Sequence, residues 1–429
     1  MLPGDNAWSA LHRANSGRDQ ESDLHTVQPD RELVETFDPN PRHATTAMEV
    51  VRFSSLEQLE PLAADWDRLA RRVPFRSWPW LSGWWRHYGE PVRGRGPKVS
   101  LYVLMVYDHG RPVGIAPWYR ENCPCQGRVL RFLGMGEICS EYLSVLCLPE
   151  MEDPVAEALG QWLTEAHGSA QPASDPNDQW DLLELLGVDV QDAAVLRLTE
   201  ELELRRNLVH RSPGWNCWRI ALPDHWDEFL AKLSKNHRKQ LRRRQRTVLD
   251  GRRDVLHCVQ HAADLPRAQE VLMDLHQRRR RSQGGQGCFD SRRFTAFHDE
   301  VMPEMLRAGQ LRLVWLEVDG RPVVAEYQLT GDGVVYAYQS GINPDVLELA
   351  PGSLGHLLTL RQAMEDGYRA FDFLRGDEPY KRHWRACVRP TWHVRVVPSQ
   401  PSARLRHCLW LAGSNMKKWI KTGLPFLHR

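Results

Sequence analysis

The sequence predicts an α/β chain that repeats one kind of unit, a mixed sheet flanked by helices. Helical and strand patterns alternate along the chain instead of segregating by type. Two hairpin patterns, SLYVLMVYDHGRPVGIAPWYR (100–120) and LRLVWLEVDGRPVVAEYQL (311–329), share the tetrapeptide Gly-Arg-Pro-Val at 110–113 and 320–323. In both, the tetrapeptide joins an outgoing strand to an apolar return strand, and the flanking elements come in the same order.

The first 46 residues are polar and aperiodic, and we expect a disordered leader. EVVRFSSLEQLEPLAADWDRLARR (49–72) opens with a short strand. A helix follows, with Leu59, Leu62, Trp66 and Leu69 at helical spacing. After the first hairpin come strands at VLRFLG (129–134) and YLSVLCL (142–148), a helix at 154–167, a loop rich in Pro, Asp and Asn (171–178) and a strand at WDLLELLG (180–187). In the second half, helices at 265–281 and 293–307 lead to the second hairpin. GDGVVYAYQSGI (331–342), a helix from Ser353 to Asp366 and the strand RAFDFL (369–374) complete it. The units expected are 47–205 and 206–398, with a tail at 399–429 that mixes Leu, Trp and Phe with Lys and Arg. That tail either packs on the body or rests on an anionic membrane surface.

Net charge is +1 over 429 residues, so an anion-binding surface has to come from local clustering. The nine cysteines are scattered, and the one close pair, Cys123-Pro-Cys125, lacks a metal or redox spacing. Reduced thiols and no metal centre are expected. With no secretory h-region and no run of ~18 apolar residues, the expectation is a cytoplasmic protein without a membrane span.

Four stretches carry chemistry in their composition. FLAKLSKNHRKQLRRRQRTV (229–248) holds eight Lys and Arg and no acid, with Leu230, Leu233, His237 and Leu241 forming a buried seam of one helix. A single-signed face, Lys235 and Arg238 included, suits an anion: coenzyme phosphate, RNA, anionic lipid or glycan. The alternative is a solvated face. PGSLG (351–355) feeds a helix, so Gly352, Ser353, Leu354 and Gly355 offer a phosphate site or an ordinary cap. Within VVAEYQL, Glu326 is a carboxylate in an apolar strand; it needs a partner or a cleft, or it lies on a solvated sheet edge. PFRSWPWLSGWWRHYG (74–89) groups Trp80, Trp84 and Trp85, more often core than sugar platform.

FDFLRGDEPYKRHW (371–384), together with LSKNHRKQLRRR, AEYQL and YQSGINP, resembles the GNAT-type acetyltransferases of the CelD-like group. These are bacterial proteins tied to cellulose or exopolysaccharide biosynthesis, related to the Fem-type peptidyltransferases with their tandem GNAT-like units. The resemblance spans most of 47–398. It implies two tandem GNAT-like units, each a mixed, mostly antiparallel sheet flanked by helices, and an acetyl-CoA or other acyl-CoA co-substrate. Tyr338, Gln339 and Ser340 would lie beside the pantetheine and residues 352–355 under the phosphates. Leu349 and Leu354 depart from the usual GNAT loop. The expected reaction is acyl transfer to an amine or hydroxyl of a small-molecule, glycan or peptide acceptor. Glu326 is the expected general base, Asp372 the second choice, and Tyr380 the proton donor to the leaving thiolate. Arg375, Asp377 and Lys381 would form a rim that receives the acceptor, or else an ion-paired turn that locks the strand exit. A Fem-like donor, aminoacyl-tRNA held by the basic helix, is the competing enzyme reading, and a non-catalytic accessory of polysaccharide synthesis the third.

Overall fold

The computed structural model describes residues 48–89, 98–166, 175–249 and 254–423. The leader expected at 1–46 lies outside them, as does the 171–174 part of the polar loop. The strands of the first half are β1 (Glu49–Phe53), β2 (Val99–Asp108), β3 (Arg111–Cys123), β4 (Gly127–Phe132), β5 (Leu146–Cys147) and β6 (Leu182–Asp189). Those that follow are β7 (Leu208–Ala221), β8 (Asp254–Cys258), β9 (Leu311–Val318), β10 (Arg321–Gly331), β11 (Val334–Ile342), β12 (Ala370–Arg375) and β13 (Cys387–Val397). The helices are α1 (Leu56–Leu59), α2 (Ala63–Leu69), α3 (Trp78–Tyr88), α4 (Glu152–Glu165), α5 (Ala193–Leu204) and α6 (Trp226–Lys232). After them come α7 (Lys235–Arg244), α8 (Leu265–Ser282), α9 (Arg292–Arg307), α10 (Pro351–Glu365), α11 (Pro379–His383) and α12 (Pro401–Gly423).

The shared tetrapeptide closes the same turn twice. His109-Gly110 and Asp319-Gly320 link their hairpins with φ of 46°, 74°, 51° and 72°. Two left-handed residues in succession follow the right-handed twist of paired strands, and glycine takes that backbone without a steric penalty.

All the strands join one sheet in the order β1-β2-β3-β4-β6-β13-β7-β12-β11-β10-β9-β8, with β5 on β3. Its two halves repeat each other. From β1 inward the pairings run antiparallel three times, then parallel (β4 with β6), then antiparallel (β6 with β13). From β8 inward they run in the same series, with β11 and β12 as the parallel pair and β12 against β7 closing it. In each half a helix, α4 or α10, precedes the parallel partner, as a parallel crossover requires. β7 and β13 pair at the centre and make the two halves continuous.

The tryptophans of α3 serve packing. Trp80 is fully buried, edge-on to Phe75, Phe297 and Tyr338, and its indole N–H donates to Ser140 Oγ at 2.8 Å. His298 of α9 lies in the same cluster, with its ring nitrogens 3.3 Å from the hydroxyls of Tyr327 and Tyr338. On the opposite face, Phe229, Leu233, Leu241, Leu357, Phe371, Phe373 and Trp384 form a second core beneath α7 and α10.

One close approach fixes α8 on the sheet. A Cβ at Gly341 of β11 would stand 2.5 Å from the His276 backbone nitrogen and 2.9 Å from the Leu272 carbonyl. Gly341→Ala is therefore expected to lift α8 and destabilise the fold by about 1–3 kcal/mol, read as the midpoint of urea unfolding. An unchanged midpoint would show that the helix gives way freely.

Candidate active site

The parallel pairing of β11 and β12 is short. It covers Val334–Tyr336 against Ala370–Asp372 and then stops. β11 continues along β10 to Ile342, whereas β12 turns away through Leu374 (φ 57°) and Gly376 (φ 108°). A cleft of about 760 Å³ lies beside this divergence. Its walls come from one face of α7 along its length, the last turns of α8, the β10–β11 face, the first turn of α10 and residues 378–384.

Glu326 is set into the cleft by strand alternation. It pairs in register with Ser340, while the next residue, Tyr327, points to the far face and the core. The carboxyl is 4% exposed, and among the described residues no hydrogen bond or ion pair meets it. Burial pushes it up to about 8. A Cβ on Gly355 would come within 2.9 Å of Glu326 Oε1, so α10 passes over the carboxyl because residue 355 has no side chain. Burial first, then the charges of Glu378 and Glu326, raise the Tyr380 phenol. Its ring stacks on His356 with centroids 5.2 Å apart, and His356 meets Phe373 and Trp384 edge-on. Burial, and then the nearby Lys381 charge, hold His356 well below the usual imidazole range, so this ring is neutral. Neither the His356 stack nor the burial of Glu326 beneath α10 shows in the sequence, because both depend on pairs far apart along the chain.

The basic stretch is divided. Leu233 is extended (ψ 157°), and the Ser234 hydroxyl accepts from the His237 amide at 3.3 Å, so α6 ends and α7 begins where one helix over 229–248 was expected. A serine that caps a new helix competes with continuation of the old one. Lys235 is exposed and Arg238 reaches the Ala231 carbonyl at 3.5 Å; neither lines the cleft. Arg244 does, and donates to Ser353 Oγ at 3.0 Å. Arg279 and Arg280 of α8 also line it. They belong to the run Arg278–Arg281, whose concentration at a helix end was the missed signal.

At the first turn of α10, Gly352 and Ser353 face the cleft and Leu354 is buried in a core. The amides of Ser353 and Leu354 are taken by the Ala350 carbonyl, and Pro351 has none. This helix end thus supplies little to an anion, and the guanidinium groups must supply the rest. On β11, Ser340 faces the cleft, Gln339 is half-buried outside it, and Tyr338 donates to the Ile138 carbonyl at 2.7 Å within the core.

The charged strand exit is tied down. Asp372 is fully buried away from the cleft, accepting from Tyr142 Oη at 2.5 Å, Arg219 Nε at 2.7 Å and the Leu374 amide at 2.7 Å. Arg375 pairs with Glu141 and lies 4.1 Å over the Trp215 ring. Asp377 accepts from the Trp218 indole at 3.0 Å and from Asn216 at 3.1 Å. Lys381 is buried, and its ammonium donates to the carbonyls of Leu374 (3.2 Å), Arg375 (2.7 Å) and Gly376 (3.0 Å), with Glu378 alongside at 2.9 Å. Of this cluster only Glu378 and Tyr380, with His383 and Trp384 behind them, line the cleft. The exit is tethered more as a locked turn than as an acceptor rim, but of the pairings expected within the turn only Lys381–Glu378 forms, while Arg375 pairs with Glu141 and Asp377 is held by Trp218 and Asn216. Asp372→Asn is expected to strand the Arg219 charge and lower stability by about 3–5 kcal/mol, measured by denaturant unfolding. Full stability with lost turnover would instead return Asp372 to the chemistry.

Residues 235–382 match the family model described as an acetyltransferase (GNAT) domain. That segment runs from the first residue of α7 into α11 and encloses Glu326, Gly352, Ser353, His356 and Tyr380. Among solved structures, the chain is similar to the crystal structure of FemX, with a TM-score of 0.55 at 11% identity over 83% of this chain and 99% of that one. It is also similar to the C-terminal DUF2156 domain of a putative lysylphosphatidylglycerol synthetase from Agrobacterium fabrum (TM-score 0.48, 10% identity, 82% and 95% covered). A third is a tandem GNAT protein from the clavulanic acid biosynthesis pathway (TM-score 0.41, 13% identity, 82% and 99% covered). No curated protein matches the sequence. Residues 235–382 are thus similar to a GNAT acetyltransferase domain, within a fold similar to that of FemX over most of the chain's length.

Proposed function

We propose that the chain is an acyltransferase that moves an acetyl or longer acyl group from acyl-coenzyme A to an amine or hydroxyl acceptor, with Glu326 as general base. The observation that carries this reading is the Glu326 carboxyl, buried without a partner yet lining a basic cleft within the segment matched by the acetyltransferase model. A carboxyl raised to about 8 is matched to taking a proton from an acceptor near neutral pH.

The residues present suit the coenzyme. Arg244, Arg279 and Arg280 would hold its phosphates, with Gly352 and Ser353 beside them, and Ser340 would face its pantetheine arm. When bound, it supplies a thioester whose acyl carbon accepts the acceptor's lone pair. Glu326 takes the proton from the acceptor nitrogen or oxygen. Tyr380 keeps its proton well past neutral pH and holds it at the hydroxyl, where a leaving thiolate can receive it; the neutral His356 ring orients that phenol by stacking. Asp372, Arg375, Asp377 and Lys381 act by shaping the strand exit. Lys235 and Arg238 would meet a donor or acceptor only outside the cleft. A small molecule, glycan or peptide remains the acceptor class, and its setting in polysaccharide or cell-envelope biosynthesis rests on the sequence resemblance to the CelD-like group.

One observation favours a second reading, transfer from aminoacyl-tRNA. The cations of α7, joined by Arg279 and Arg280 at the cleft, make a surface of one sign suited to a nucleic-acid backbone. Thermal stabilisation by acetyl-CoA without tRNA supports coenzyme A as donor, whereas tRNA affinity that falls steeply with salt supports the second reading. Neither response would leave the accessory role.

Glu326→Gln is expected to lower turnover by ~10²-fold. The base is the deprotonated form, so the wild-type rate should climb as pH rises through about 8 and then level, and the glutamine variant should lose that limb. Because the folded-state value lies above the ordinary one, the native state holds the extra proton between them. Wild-type stability should therefore fall, relative to Glu326→Gln, as pH rises from about 5 to about 8. Equal turnover of the two proteins at every pH would remove Glu326 from the mechanism.

A further inference from the structure

The last helix, α12, packs one face on the sheet and leaves the other bare. Ala403 and His407 are buried, Arg406 pairs with Asp181 at 3.0 Å, and Arg395 of β13 lies 3.8 Å over the Trp410 ring. On the outward face, Leu405 is 62% and Leu409 65% exposed, with Cys408 and Ala412 exposed between and beyond them. These positions repeat at three- and four-residue steps, and in the sequence Met416, Trp419 and Ile420 continue the same spacing. The bare stripe continues onto the body. Arg404 donates to the Arg206 carbonyl at 3.0 Å, which sets the helix start beside Leu204 (77% exposed) and Leu208.

Charge decides what covers this stripe. The chain as a whole is balanced, with 56 Lys and Arg against 55 Asp and Glu. Between Ser399 and Arg429, however, stand Arg404, Arg406, Lys417, Lys418, Lys421 and Arg429 with no Asp or Glu. A protein partner or a second copy of this chain would present mixed charge to that segment. Apolar side chains exposed on one side of a helix, in a segment whose sequence carries cations and no acid, match the acyl–headgroup boundary of an anionic bilayer, and beside Leu204 the acids Glu201 and Glu203 are paired with Arg205 and Arg211. No helix among the described residues is long and apolar enough to cross a membrane, so α12 would lie in the surface. We propose that α12, with Leu204 and Leu208, is a peripheral docking face for anionic lipid membranes. The proposal is independent of the transferase reading, because none of these residues lines the cleft.

The test is co-sedimentation of the full-length protein with phosphatidylcholine vesicles, with and without phosphatidylglycerol. Binding is expected only with phosphatidylglycerol and should weaken as salt is raised. The double substitution Leu405→Asp and Leu409→Asp, on exposed positions, should weaken it about tenfold or more while thermal unfolding stays unchanged. Replacing Lys417, Lys418 and Lys421 by Gln should weaken it as well and flatten its salt dependence. Absence of binding to the phosphatidylglycerol vesicles, or undiminished binding by the leucine variant, would overturn the proposal. So would a self-association in solution that the leucine variant abolishes, since that would assign the stripe to a second copy.

Discussion

A single buried carboxylate sets the geometry on which the cleft depends. Asp372 stands where the parallel pairing of β11 and β12 ends, and its three donors come from separate parts of the chain: Tyr142, Arg219 of β7 and the Leu374 amide. A carboxylate out of water needs its oxygens filled, and here filling them draws the first half, the central strands and the turning β12 to one point. Leu374 then adopts left-handed backbone, β12 leaves the line of β11, and the space between the strands opens. Arg219 also lies over the rings of Tyr142 and Tyr336, so the carboxylate's partners are themselves fixed by packing.

From this anchor the charged exit of β12 becomes intelligible. Lys381 turns its ammonium back onto three consecutive carbonyls, which could not all be satisfied by backbone in so tight a bend. With the lysine tethered there, α11 is held against the sheet and Tyr380 comes to rest on His356 at the cleft wall. Electrostatics inside the cleft then divide by depth. Guanidinium groups gather at α7 and α8, while Glu326 sits beneath α10 with nothing to ionise against. Cations and a carboxyl held protonated near neutral pH are thus accommodated in one space, and in the proposed reaction that carboxyl becomes a proton acceptor as pH rises towards about 8.

Much of the architecture was legible in local pattern. The Gly-Arg-Pro-Val repeat marked two hairpins with the same turn, and the limits of α8 and α9 followed from apolar periodicity. Glu326 stood out because a carboxylate in an apolar strand is costly wherever it lies. The break at Ser234 was misread: one capping hydroxyl outweighed a continuous apolar seam. The roles of Arg375 and Asp377 were hidden for a different reason. Their partners Glu141, Trp215 and Trp218 lie some 150 to 230 residues away, and no spacing rule reaches that far. Arg279 and Arg280 escaped notice because four successive arginines at a helix end look like ordinary complementation of its dipole.

The pairing of β7 with β13 has a consequence for how the chain acquires its structure. β6 finds its inner neighbour only in β13, residues 387–397, and β7 lies between β13 and β12. During synthesis the first half emerges with the inner edge of β6 unpaired, and almost the whole second half must follow before that edge is covered. Contacts so distant in sequence close slowly, and a bare hydrophobic strand edge is a template for pairing with other chains. Late closure at the centre of the sheet therefore leaves the β6 edge open to mispairing until the final strand arrives.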